Sequence, residues 1–304
     1  MTHIVVVGSL NMDLVVRTPR LPLPGETILG HDFRTIPGGK GANQAVVAAR
    51  LGARVSMVGR VGDDAFGRTL LDQMVREGID ITHVEVDDVA PTGIAMITVD
   101  NEGQNSIVVA SGANFRLTPA QAVAALDTLP PYDALVLQLE SPLDAMMAAA
   151  RSARDAGARV ILNPAPARPL PDALLDAVDV LIPNESEAAL LTGMPTQTPA
   201  QAEAAARRLL ARGLQAVILT LGSAGALVMT GNESIHLPPH QVEVVDTTAA
   251  GDAFVAGVAV GLGEGMALVE AARLGNAAGA LTVTRMGAQS SFPSKEEVLT
   301  ILRR

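Results

Sequence analysis

Short apolar runs rich in valine, isoleucine and leucine recur along this chain, each separated from the next by a stretch of helical spacing. That alternation restricts the fold more than any other feature. Strand-like runs stand at 4–8, 54–58, 134–139, 160–163, 178–182 and 216–221, and helical patterns at 41–51, 66–77, 119–126, 143–156, 185–191 and 199–212. Several of the helices close on a glycine suited to a C-cap, such as Gly52, Gly78, Gly157, Gly193 or Gly213. Apolar strands joined by helices form a mainly parallel sheet covered on both faces, so the expected fold class is α/β with a three-layer α/β/α core. After residue 240 the pattern turns mostly helical.

Two segments break the alternation, 14–36 and 92–110. In the second, β-prone runs at 94–99 and 106–109 flank a polar turn at 100–104, which reads as a hairpin. The two segments are expected to pair in space as a small discontinuous β lid over the carboxyl edge of the sheet, where ligands bind in such folds. The expected organisation is one compact domain over 1–304 carrying that lid. The lid's edges and apolar faces would be covered by a second copy, so a homodimer is expected.

Charge and composition narrow the function. A net charge of −10 argues against broad nucleic-acid binding, which relies on clustered Lys and Arg. The apolar runs are too short or too interrupted by glycine to cross a bilayer, so no membrane partner is expected. The start, Met1-Thr2-His3-Ile4-Val5-Val6-Val7-Gly8, has no basic stretch and reads as a first strand rather than a secretory leader; a cytoplasmic protein is expected. No cysteine is present, which removes disulfides and thiolate chemistry, and the five histidines are scattered, which argues against zinc.

The chemistry concentrates at Asp246-Thr247-Thr248-Ala249-Ala250-Gly251-Asp252, a small-residue turn followed at once by the wholly apolar helical stretch 253–262. A buried helix starting there opens with unpaired N–H groups and the positive end of its dipole, which favour an anion such as a phosphoryl group. Ala249, Ala250 and Gly251 keep side chains clear of that opening, and Asp252 stands where it can take a proton from a substrate hydroxyl. A helix-capping role is the commoner one for such an aspartate, and by itself the turn leaves both readings open. A second cluster, Pro37-Gly38-Gly39-Lys40-Gly41-Ala42-Asn43, matches neither the Walker A nor the dinucleotide spacing. Asn11, Asp13 and Glu140 stand at strand ends. Taken singly each is a turn residue, and together they supply what a polyhydroxylated ligand needs.

In order and separation, Gly38-Gly39-Lys40-Gly41-Ala42-Asn43 and Asp246-Thr247-Thr248-Ala249-Ala250-Gly251-Asp252 resemble the two signatures of the ribokinase (PfkB-type) carbohydrate kinase family. Intervening segments agree, among them Gln138-Leu139-Glu140-Ser141-Pro142, Leu162-Asn163-Pro164-Ala165-Pro166 and Pro183-Asn184-Glu185-Ser186-Glu187. The resemblance covers essentially the whole chain. It implies ATP-dependent phosphorylation of D-ribose at its 5-hydroxyl, with Asp252 as base. Asn11, Asp13, Gly39, Lys40, Gly41, Asn43 and Glu140 then match sugar-contacting positions. Asn184, Glu187, Thr220, Gly222, Ser223, Gly225, Gly251 and Asn276 match nucleotide-binding ones, and Glu187 acts on Mg²⁺ through water. Asp246, Thr248, Thr282, Arg285, Gly287 and Ser291 match a site for a potassium-type activator, mostly through backbone carbonyls.

With no Trp, one Tyr and five Phe, the chain has little aromatic surface for gripping a nucleoside's base, which favours a bare sugar. Another acceptor (deoxyribose, fructose or a nucleoside) and a non-catalytic sugar-binding protein on the same fold remain the alternatives.

Overall fold

A computed structural model describes residues 1–231 and 233–303. In the first half of the chain the strands are β1 (His3–Val7), β2 (Asn11–Arg17), β3 (Asp32–Gly38), β4 (Arg54–Gly62), β5 (Asp80–Asp87), β6 (Gly93–Val99) and β7 (Asn105–Ala110). The second half adds β8 (Ala134–Leu137), β9 (Arg159–Leu162), β10 (Val180–Leu181), β11 (Ala216–Thr220), β12 (Ala226–Thr230) and β13 (Glu233–Leu237). The helices are α1 (Lys40–Arg50), α2 (Ala65–Arg76), α3 (Pro119–Thr128), α4 (Leu143–Asp155), α5 (Asp172–Leu175), α6 (Glu185–Thr192), α7 (Pro199–Leu210), α8 (Ala250–Gly263), α9 (Leu268–Thr282) and α10 (Lys295–Leu302).

Nine strands form one sheet in the order β13-β12-β11-β10-β9-β8-β1-β4-β5. It is parallel from β11 to β5, and β12 and β13 extend it as an antiparallel hairpin. Alternation along β1 shows why the core has two halves. Ile4 and Val6 pack into the apolar layer shared with α1, α8 and α9, Val5 and Val7 into the layer shared with α3, α4 and α7, and all four are fully buried. Burying each such side chain contributes about 1.5–3 kcal/mol, which is why these runs read as continuous apolar segments rather than alternating ones.

Helix α8 is apolar on every side because every side is covered, by the sheet, α1 and α9. It meets α9 so closely that a Cβ on Gly257 would lie 2.7 Å from the Cα of Gly275.

A second sheet of four strands, β3-β2-β6-β7, stands apart. Strand β2 leaves β1 through Gly8-Ser9-Leu10, so the small sheet grows from the carboxyl edge of the large one. Its foot is tied down where the Thr92 N–H and Oγ1 both donate to Asp64, each at 2.8 Å, while Asp64 also caps α2 through the Gly67 N–H.

The structure departs from the sequence reading at the sheet margins. Strands β5, β12 and β13 were not among the expected runs; β5 and β13 mix polar and apolar residues because they are edge strands, with one side open to water. The paired part of the first irregular segment is 11–17 and 32–38 rather than 14–36, since no strand forms over 18–31. Among the described residues, no helix is long and apolar enough to cross a membrane.

Candidate active site

Strands β1, β8, β9, β10 and β11 end on one edge, and residues at or just beyond their ends converge there: Ser9 and Asn11, Gln138 and Glu140, Asn163, Asn184, Thr220. Helix α1 enters the same edge through Gly39, whose φ of 89° and Cβ direction, 2.6 Å from the Asn11 N, admit only glycine. This approach brings the Lys40 N–H to Glu140 Oε2 at 3.1 Å, where Ser9 Oγ (2.5 Å) and Asn11 Nδ2 (3.4 Å) also donate. Asp13, on β2, overhangs Gly38, leaving no room for a side chain there. Burial, reinforced by the Glu140 and Asp252 carboxylates, pushes Asp13 up to about 7 against the pull of Lys40.

Asp252 occupies the third position of α8, among the first N–H groups that have no carbonyl a turn earlier. The preceding Ala249 has φ 59°, the one non-glycine residue with positive φ among the described residues. That left-handed turn costs about 1–2 kcal/mol for an alanine, and it directs the start of α8 at the cleft. The Asp252 carboxylate is 6 % exposed and accepts from Asn43 Nδ2 on Oδ2 at 3.0 Å and from Gln44 Nε2 on Oδ1 at 2.9 Å. Burial raises its pKa, opposed by the Lys40 charge and the two amide donors. Burial also works against the Lys40 ammonium, but Asp252, Glu140, Glu187 and Asp13 together outweigh it and hold Lys40 above the usual lysine value.

Two cavities meet along α8. A smaller one of about 220 Å³ is lined by Lys40, Asn184, Glu187, Thr220, Gly251 and Asp252. A larger one of about 750 Å³ shares Asn184, Thr220 and Gly251, and continues past Gly222, Ser223 and Gly225 to Asn276. Every nucleotide position expected from the sequence thus lines one or the other. Asn184 and Glu187 form a capping box at the start of α6: Glu187 N–H donates to Asn184 Oδ1 at 2.8 Å, and Asn184 N–H and Nδ2 return bonds to Glu187 at 2.8 and 3.0 Å. Burial raises the Glu187 pKa. Asn276 Nδ2 donates to the Pro238 carbonyl at 2.8 Å, which sets the far wall of the larger cavity.

The candidate cation positions are only partly assembled through side chains. Asp246 accepts from the Thr248 N–H (3.0 Å) and Oγ1 (2.7 Å) and from the Gly287 N–H (2.8 Å). Burial opposes ionisation of Asp246, but these donors prevail and lower its pKa. The side chains of the other positions are engaged elsewhere: Thr282 Oγ1 with Ala278 O, Ser291 Oγ with Ala288 O, and Arg285 with Glu297. A cation here would therefore rest on the Asp246 carboxylate and backbone carbonyls, a hard oxygen set suited to K⁺. Among the described residues, no three His, Cys, Asp or Glu side chains cluster as a metal cage. A Mg²⁺ ion that keeps most of its waters fits Glu187, whose carboxylate forms part of the cavity wall.

The sequence reading did not single out two buried residues in contact with this set. Asn114 exchanges bonds with the Leu10 backbone (2.9 and 3.0 Å) and donates to Asn11 Oδ1 at 2.8 Å, which turns the Asn11 amide toward Glu140. Gln44 reaches Asp252 directly. Gln44 stands in a helical run and Asn114 in a turn, where a polar residue is ordinary, and only their 1 % exposure marks them.

Residues 1–295 match the model of the pfkB family carbohydrate kinases. The chain is 42% identical to ribokinase from Haemophilus influenzae over 98% of this chain and 97% of that one. It is 40% identical to deoxyribokinase from Salmonella typhi, over 97% and 96% of the two chains. Among solved structures, Arabidopsis thaliana ribokinase complexed with ribose and ATP superimposes with a TM-score of 0.90 at 36% identity, covering 100% of both chains. The cleft geometry and these likenesses lead to one conclusion: the chain belongs to the pfkB family of ATP-dependent carbohydrate kinases.

Proposed function

We propose that the protein transfers the γ-phosphoryl group of ATP to the 5-hydroxyl of D-ribose, giving ribose 5-phosphate and ADP. The observation that carries this reading is the place of Asp252: a buried carboxylate in the first turn of α8, next to Gly251, which lines both cavities. Asp252 takes the hydroxyl proton as the sugar oxygen attacks phosphorus. The N–H groups at the Ala249-Ala250-Gly251 turn meet the charge on the phosphoryl oxygens from one side, and Lys40 meets it from the other. Although Lys40 also belongs with the sugar positions by sequence, its place beside Asn184 and Glu187 favours this phosphoryl role. Asn11, Asp13, Asn43 and Glu140, with the backbone of Gly39 and Gly41, orient the sugar.

When bound near Glu187, Mg²⁺ supplies charge neutralisation to the ATP phosphates. Asp246 and neighbouring backbone carbonyls would hold K⁺, whose charge would steady the turn that opens α8. The small sheet acts as a lid whose closure keeps water from the transferring group. The ribokinase and deoxyribokinase relatives and the ribose–ATP complex of the plant ribokinase support a pentose acceptor.

A substrate panel read by ADP release in Mg²⁺, with and without K⁺, tests this reading. D-Ribose should give the highest kcat/KM, with the rate rising on addition of K⁺. Preference for 2-deoxyribose, fructose or adenosine would replace the acceptor. Thermal stabilisation by ribose with no ADP formed would leave a sugar-binding protein instead.

The lid also supports a homodimer. Phe33, Met96, Ile107 and Val108 on its strands are 52–64% exposed, and β7 leaves an unpaired edge. Light scattering should return twice the chain mass, and a monomer at assay concentration would overturn the dimer.

A further inference from the structure

Gln44 lies one residue beyond Asn43 on α1, 1 % exposed, with its amide between three polar groups. Its Nε2 donates to Asp252 Oδ1 at 2.9 Å and to Asn163 Oδ1 at 3.2 Å, while its Oε1 accepts from Gln138 Nε2 at 2.6 Å. Asn163 is itself oriented, since its Nδ2 donates to the Ile182 carbonyl at 3.0 Å and leaves only Oδ1 for Gln44. Turning the Gln44 amide over would set oxygen against oxygen at Asn163, whose orientation is fixed by Ile182; Gln138, whose Oε1 has no partner of its own, is free to turn with it. Asn163, buried at the end of β9, therefore keeps a hydrogen-bond donor aimed at Asp252, whatever the charge of the carboxylate, and Gln138 at the end of β8 satisfies the Gln44 Oε1.

We propose that Gln44 is a positioning residue for the phosphoryl transfer: its locked amide holds the Asp252 carboxylate in place and ionised while the sugar hydroxyl approaches. This rests on the reading of Asp252 as the base and extends it. A carboxylate this buried favours its protonated form, in which it accepts no proton. A donor that cannot rotate away favours the ionised form without the reorganisation a mobile donor would need. Asn43 lacks that rigidity. Its Oδ1 is met only by Gln289 Nε2 at 3.4 Å, so its amide is freer to turn toward a ligand. The charged groups facing Asp252 are Lys40 from α1, Glu140 beyond β8, Asp13 on β2 and Glu187 on α6. All are unchanged when Gln44 alone is altered.

The test compares the pH profile of kcat, at saturating ribose and Mg·ATP, for the parent and for Gln44→Met, which keeps length and apolar bulk but has no donor. The acid limb should move to higher pH, and turnover near pH 7 should fall about 10- to 100-fold, the loss expected for one hydrogen bond to a charged group. Gln138→Met, which removes the donor to Gln44 Oε1 and so loosens Gln44 without touching Asp252, should move the limb the same way by less, and it carries the test if Gln44→Met does not fold. An acid limb that coincides with the parent's in whichever variants fold, at any level of activity, would show that Gln44 only fills space. Failure of the base assignment has its own signature: Asp252→Asn would retain turnover.

Discussion

Replacing Asp252 with asparagine is expected to lower kcat by roughly 10²- to 10⁴-fold, the usual contribution of a positioned general base, while ribose and ATP still bind. The substitution keeps the side chain's shape. Gln44 is locked with its N–H₂ toward position 252, so the new amide must offer its oxygen there, and its own N–H₂ then faces Asn43. Asn43 can turn to accept, since Gln289 holds it only at 3.4 Å. The fold should therefore survive. Because burial raises the Asp252 pKa, the native state retains a proton that the unfolded chain has released, and stability declines as pH rises through that range. The asparagine variant escapes this decline and should melt no lower than the parent at pH 8. Near-normal turnover in a coupled ADP assay would refute Asp252 as the base.

Asp13→Asn should separate binding from stability. If the Asp13 carboxylate holds a sugar hydroxyl, its loss removes about 1.5–3 kcal/mol, roughly 10- to 150-fold in the Kd for ribose. That carboxylate is pushed up to about 7 from an ordinary value of 3.8, because it is buried beside Glu140 and Asp252. Between those two values the native protein holds a proton that the unfolded chain gives up, so stability falls as pH rises from about 4 to about 7, by about 2–4 kcal/mol. The asparagine variant lacks that penalty. Its melting temperature should exceed the parent's at pH 8 and by much less at pH 4. Calorimetry of ribose binding and melting at the two pH values checks both halves. Unchanged ribose affinity would remove Asp13 from the sugar site, and equal melting differences at both pH values would remove the electrostatic strain.

Much of this cleft is legible along the chain because its parts are local. A helix needs an N-terminus, and the run 253–262 needs one clear of side chains, so Ala249, Ala250 and Gly251 point to an anion site before any contact is known. The acids beyond β1 and β8 are legible for a similar reason: a parallel sheet carries its ligands at its carboxyl edge. Gln44 and Asn114 are not legible, because a polar residue in a helix or turn looks the same whether it faces water or a carboxylate. Their roles come from partners 208 and 103 positions away. Lys40 was readable as part of a glycine-rich ligand loop, but its place among four carboxylates depends on where β2, β8, α6 and α8 converge. The edge strands β5 and β13 escaped for the opposite reason, since polar and exposed residues interrupt them and the apolar run that marks a buried strand is missing.

The sequence by itself determined the layered α/β core, the helix start that favours a phosphoryl group, and the aspartate set beside it. Those depend on residue periodicity and on the unpaired amides of a helix end, properties of neighbouring residues. Only the tertiary structure decided which amides hold Asp252, how Asp13, Glu140 and Lys40 share one cleft, and where the two cavities along α8 meet. Hydrogen-bond direction and electrostatic coupling act over a few ångströms in space between residues that the chain keeps far apart.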